Sequence, residues 1–269
     1  MNNNHIFIET KEYKRFAEFC DACIRYKYIG ICYGLPGVGK TLSSRYYSNW
    51  DFVESEIGYN MNDMLNRHVN EKFLKHKTIF YTAPSVRATK MTDNLKIIGT
   101  HLNMAKYVYR YQQTGKDDFS YDSFSEIDLI IIDEIDRLKL QALEQLRYIY
   151  DQNNLGMIFI GMQGIERRLS RYPQLYSRIG FAHDFDKLSK DETNHILEYK
   201  WKELGLSIKM EDFSDYEAIT TIIKITGGNF RLIQRLFNQI ERIMEINQLT
   251  KITTEVVEVA RDSLIIGIK

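Results

Sequence analysis

Proline and cysteine are scarce, three of each in 269 residues. With so little proline there is no Pro-rich spacer, and any hinge between domains is short. Cys20 and Cys23 form a C-x-x-C pair, but no second pair completes a four-ligand zinc site, and the six histidines show no ligand spacing. Phe16, Phe19, Cys20, Cys23 and Ile24 instead fall on one face at helical spacing, so the thiols read as small buried hydrophobes. No run approaches the ~18 apolar residues of a membrane helix, and the segment 1–14 lacks a basic stretch followed by an apolar one. The expectation is a soluble, cytoplasmic chain with no membrane partner. Net charge is also missing, with 36 basic residues against 36 acidic. A polyanion partner is therefore not implied by the whole chain, and any nucleic-acid face has to be local. Internal repeats and low-complexity segments are absent too.

What is present is ample apolar material, 44% of residues, enough for a buried core. Apolar, β-rich runs recur at 28–33, 78–82, 127–132, 156–161 and 181–185, with helical patterns between them. That alternation predicts an α/β fold with a parallel sheet. The run Leu129 to Ile132 is apolar without alternation, as befits a central strand buried on both faces. The polar stretch 112–126, with Gly115, predicts a long surface loop. Leu95, Ile98, Leu102, Ala105 and Tyr109 share a helix face, so Tyr109 reads as core packing rather than a base-stacking platform. Beyond 187 only helices are expected: Ser189 and Glu192 make a capping box, and Ile233, Leu236, Phe237, Ile240 and Met244 trace one helix face. Thr253 is placed to cap a last helix with Val256, Val257, Ala260 and Leu264 inward. Two domains are expected, 1–187 and 188–269.

Gly34-Leu35-Pro36-Gly37-Val38-Gly39-Lys40-Thr41 fits G-x-x-x-x-G-K-[ST] directly after a strand and at the opening of a helix. Glycines there let backbone N–H groups turn inward around phosphate oxygens, and the next helix, from Lys40 through Leu42, presents its positive end. Lys40 is suited to the β and γ phosphates and Thr41 to Mg²⁺, which makes ATP with Mg²⁺ the expected ligand. About ninety residues later the strand 129–132 ends in Asp133 and Glu134. Asp133 is suited to hold Mg²⁺ through water, and Glu134 to polarise the water that attacks the γ-phosphate.

The motifs GLPGVGKT and LIIIDE, with the helical tail, resemble an AAA+ ATPase. The resemblance implies a five-stranded parallel sheet in a P-loop domain with an N-terminal helix (1–187), and a small C-terminal helical lid (188–269). It also implies an arginine from a neighbouring subunit that completes the site, for which Arg178 is the candidate and Arg171 the backup. A lid arginine touching γ-phosphate maps to Arg231 in Gly227-Gly228-Asn229-Phe230-Arg231. There the glycines break one helix, Asn229 caps the next, and an arginine in the first turn opposes the helix dipole. Where the family carries Asn, Ser or Thr after the fourth strand this chain has Met162, and Gln163 is the nearest polar substitute.

Within that family IIIDEIDRLK, LGMIFIGMQGIERRL, YSRIGFAHDFDKLSKDE and GGNFRLI look most like transposition regulators of the TniB, TnsC and MuB kind. Origin-recognition relatives carry a winged-helix domain after the lid, for which no room is expected here. The resemblance implies a homo-oligomer, ring or helical filament, that assembles with ATP on duplex DNA, marks a target site, and recruits or stimulates a transposase. It places the loop after the second strand toward DNA, where Arg87, Thr89 and Lys90 are the candidate phosphate contacts. The alternative expectation is an ATP-switched protein that binds a protein partner, in secretion or defence signalling, without DNA.

Overall fold

A computed structural model describes residues 7–57, 68–83, 88–206, 208 and 212–264. They fall into two compact units, one of residues 15–34 and 40–184, the other of residues 7–14, 35–39 and the chain from 185 onward.

The first unit is built on five strands: β1 (Ile29–Tyr33), β2 (Thr78–Thr82), β3 (Leu129–Asp133), β4 (Gly156–Gly161) and β5 (Ile179–Asp184). They pair in parallel in the order β2-β3-β4-β1-β5. The five apolar runs of the sequence fall on these strands. β3 and β4 are buried along their whole length, which is why neither alternates, whereas β5, at the edge, alternates between covered and exposed positions. The register sets Asp133 beside Thr82, and Gly161 beside Tyr33. The carboxyl ends of the strands thus share one edge, where open α/β sheets place their ligands.

The helix Lys11–Tyr26 begins in the second unit and continues into the first. Its Phe16, Phe19, Cys20 and Cys23 are buried as their spacing predicts. Burial pushes the Cys23 thiol up to about 12 and Cys20 well above its ordinary value, so both stay protonated. The long helix Ala88–Thr114 buries Leu95, Leu102 and Ala105 and leaves Tyr109 half-buried. Unforeseen is Lys106 on the same helix, fully buried. Its Nζ donates to the Glu126 carbonyl at 3.0 Å and lies 3.5 Å from that residue's carboxylate, which Arg110 also binds at 2.9 Å. This network, with Asn103 donating to Asp122 O at 2.7 Å, fastens the polar loop to the helix.

In the second unit the helices Lys190–Glu203, Phe213–Thr226, Phe230–Asn247 and Thr254–Asp262 enclose their own core, in which Trp201 meets Phe237 edge-on at 5.3 Å. Ser189 and Glu192 form the reciprocal capping box, and Thr253 caps the last helix. The other oxygen of Glu192 accepts the Lys11 N–H at 2.7 Å, so one carboxylate serves two helix starts.

Candidate functional site

The glycine loop follows β1 and ends where the helix Lys40–Tyr47 begins. Gly37 and Gly39 adopt φ of +82° and +119°, conformations that only glycine takes freely. Val38 between them is buried. Lys40 is buried as well, and its Nζ donates to the Gly34 carbonyl at 2.8 Å.

Across the sheet, Thr41 Oγ1 donates to Asp133 Oδ2 at 2.6 Å. Asp133 is only 4% exposed. Burial pushes its carboxyl up, more strongly than the Thr41 hydroxyl, the Glu134 N–H and the Lys40 and Arg137 charges pull it down. A buried carboxylate so incompletely compensated favours a cation. One carboxylate and one hydroxyl, both hard oxygen donors, suit Mg²⁺, which keeps much of its water and takes phosphate oxygens as further ligands. Among the described residues no three His, Cys, Asp or Glu side chains assemble a cage made of protein alone.

Glu134 sits just past the end of β3 with φ 57° and ψ 40°. For a residue with a Cβ this left-handed conformation costs roughly 1–2 kcal/mol. Its backbone N–H donates to Asp133 Oδ1 at 2.8 Å, and its carboxylate pairs with Arg137 at 2.7 Å while remaining 41% exposed. The two acids therefore differ: one is buried beside a hydroxyl, the other reaches solvent from a strained turn.

Within the second unit, which includes loop residues 35–39, the sequence Gly227-Gly228-Asn229 performs the break and cap expected of it. Gly227 ends the helix Phe213–Thr226 in the left-handed region, and Asn229 Oδ1 accepts the Leu232 N–H at 3.2 Å. Asn229 also does something its sequence position did not reveal: its Nδ2 donates to the Pro36 carbonyl at 2.8 Å. The Arg231 N–H donates to Gly37 O at 2.9 Å. A side chain at Gly37 would come within 2.7 Å of Asn229 Oδ1 and 2.8 Å of Arg231 Cβ. The glycine is required by this close approach as well as by its φ.

The remaining candidates stand apart from these contacts. Leu42, Gln163 and the Arg231 side chain are exposed. Arg178 binds Asp151 through Nε at 2.5 Å and Nη2 at 2.9 Å and also donates to the Gln174 carbonyl, while Arg171 is exposed. Thr89 and Lys90 are exposed in the first turn of Ala88–Thr114, and Arg87 lies outside the described residues.

A family model described as an AAA domain matches residues 24–169, more than half of the chain. A potential ATP-binding protein of Staphylococcus aureus is 62% identical over 271 residues, spanning 100% of both chains. The Mu-like prophage FluMu DNA transposition protein B of Haemophilus influenzae is 26% identical over 129 residues, 44% of this chain and 42% of that protein. Among solved structures, the RuvB Holliday junction branch migration motor of Thermotoga maritima superposes with a TM-score of 0.59 at 18% identity, over 97% of this chain and 71% of that one. At that identity the likeness concerns the fold alone.

Proposed function

We propose, from the premise that this chain belongs to the AAA-domain family of P-loop ATPases, that it hydrolyses ATP and, when ATP-bound, assembles on duplex DNA to select target sites and recruit or stimulate a transposase. The observation that carries the ATPase reading is the 2.6 Å bond from Thr41 to Asp133, which joins the phosphate loop to the acidic end of β3. In this reading the N–H groups of 34–42 take the phosphate oxygens and Lys40 neutralises the β and γ groups. Thr41 and Asp133 hold Mg²⁺, which offsets phosphate charge when bound. Glu134 orients the attacking water and accepts its proton. Gln163 and Arg231 address the γ-phosphate, and Arg178 serves the site of a neighbouring copy, which requires a homo-oligomer, ring or filament.

The DNA half rests on the similarity to the prophage transposition protein and on the exposed Thr89 and Lys90, preceded by Arg87. Contacts of this type bind phosphates without reading sequence, and their affinity falls steeply with salt. The balance of 36 basic and 36 acidic residues favours a second reading, an ATP switch that binds a protein partner without DNA.

Electron microscopy of the full chain with duplex DNA and a nonhydrolysable ATP analogue, compared with samples lacking either, separates the two. Rings or filaments on DNA that require nucleotide, and are lost in Lys40→Ala, are expected. Nucleotide-dependent assembly indifferent to DNA would reject the DNA half and leave the ATPase.

A further inference from the structure

Two residues outside the phosphate loop and the acid pair hold the turn that carries Glu134. Ile135–Arg137 form a single 3₁₀ turn between Glu134 and Leu138. Arg168, from the helix Ile165–Leu169, reaches back to it: Nη1 donates to the Asp136 carbonyl at 2.5 Å and Nη2 to the Leu138 carbonyl. One planar guanidinium thereby grips two carbonyls of one turn, a geometry lysine cannot reproduce. In the opposite direction, Asp136 Oδ2 accepts the backbone N–H of Met162, the first residue past β4, at 2.8 Å. The approach is close enough that a Cβ on Gly161 would lie 2.9 Å from that oxygen and 3.0 Å from Ile135 and Ile165 side-chain carbons.

These contacts run both ways between two short segments. The first carries Glu134, whose left-handed backbone persists only where its surroundings determine it. The second carries Met162 and Gln163. Met162 takes part through its N–H and leaves its side chain 42% exposed, so a thioether is tolerated there. Neither Asp136 nor Arg168 has an evident role in holding the sheet, whose strands are paired without them.

We infer that Asp136 and Arg168 are positioning residues for ATP hydrolysis, locking the turn that bears Glu134 to the turn that bears Gln163 so that both carry fixed geometry to the γ-phosphate. The inference rests on the proposed role of Glu134. It assigns the two residues to turnover rather than to nucleotide affinity, which the loop 34–41 provides.

The test measures ATP turnover and ATP affinity of the full chain in parallel, with Glu134→Gln in the same series. Asp136→Ala and Arg168→Ala are expected to lower turnover on the order of 10- to 100-fold, the scale of a misplaced catalytic group, with ATP affinity nearly unchanged. Asp136→Asn keeps an acceptor for the Met162 N–H and is expected to regain most of the loss. Arg168→Lys, able to satisfy one carbonyl, falls between alanine and wild type, and provides a folded variant if alanine is too disruptive. Added to Glu134→Gln, Arg168→Ala should cause much less loss than it does alone, because most of its effect passes through that residue. Normal turnover in both alanine variants, beside an inactive Glu134→Gln, would overturn the inference and spare the reading of Glu134. ATP affinity falling in step with turnover would also overturn it. Normal turnover in Glu134→Gln itself would remove the premise.

Discussion

Asn229 and Pro36 are joined by a 2.8 Å hydrogen bond from the amide of one to the carbonyl of the other, while the same amide group caps the helix Phe230–Asn247. The two duties are separable by substitution. Asn229→Ala loses both and is expected to lower stability by about 1 kcal/mol, the usual cost of a lost cap. Asn229→Ser retains a capping oxygen and loses the donor to Pro36, so its stability should lie nearer wild type. Both variants should weaken ATP binding alike, because the carbonyl of the phosphate loop is released in each. Thermal unfolding with and without ATP measures the two effects together. If the serine variant binds ATP normally, the bond to Pro36 has no part in holding the loop.

Thr41 and Asp133 yield a prediction about the metal. Asp133→Asn removes the charge while preserving an acceptor for the Thr41 hydroxyl, whose bond to Asp133 is 2.6 Å long. ATP binding measured with excess Mg²⁺ should fall at least about tenfold, in line with the loss of a carboxylate that holds the ion through its water. Binding measured in a chelator should change little. A variant equally impaired under both conditions would place Asp133 in the loop's architecture instead of at the metal.

Much of this fold could be read from the chain because its signals are local. An apolar run without alternation marks a strand covered on both faces, and β3 and β4 are such strands. Gly34 to Thr41 announces its loop because only glycine accepts the φ of +82° and +119° found at Gly37 and Gly39. The capping box at Ser189 and Glu192 is likewise complete within four residues. The bonds that escaped sequence reading join residues far apart: Asn229 to Pro36, Asp136 to Met162, Lys106 to Glu126. A single hydrogen bond between distant polar residues leaves no periodic trace. Lys106 was hidden for a further reason, since a lysine on a helix reads as solvated until its partner is known. The partner of Arg178 was hidden in the same way, and Asp151 is twenty-seven residues away.

That pair bears on the proposed assembly. Asp151 is shared by Arg178, at 2.5 Å, and Arg147, at 2.8 Å, and the hydrogen bond from Arg178 holds its carboxyl below the usual range. Arg178 has to leave this pair to act on another copy, and an exposed ion pair holds it by no more than about 1 kcal/mol. Asp151→Asn is therefore expected to retain or raise turnover with little change in stability. Arg178→Ala should abolish turnover, and mixing it with Glu134→Gln, which still binds ATP and assembles, should restore part of it, because the second variant supplies the arginine that the first lacks. Failure of the mixture to recover, with both proteins assembled, would make Arg178 a residue of its own subunit.

His76 sets an acid limit on the stability of the first unit. It is 7% exposed, and its Nε2 lies 2.6 Å from the Thr78 carbonyl, a pairing in which the ring nitrogen donates. Burial pushes the imidazole down to about 4, and the Lys106 charge adds to that, while the carbonyl pulls it partly back. In the unfolded chain the same ring titrates near ~6.5. Between those values the unfolded state binds a proton that the folded state refuses. The contribution is therefore complete above the unfolded value and is lost as pH falls toward the folded one, amounting to about 2 kcal/mol by pH 5. His76→Gln keeps an N–H donor without a titrating ring. Urea unfolding at pH 7 and pH 5 should show wild type losing on the order of 2 kcal/mol more than the variant. Equal losses in the two proteins would mean that His76 is protonated in the folded state, and the acid sensitivity would then belong to the carboxylates that both share.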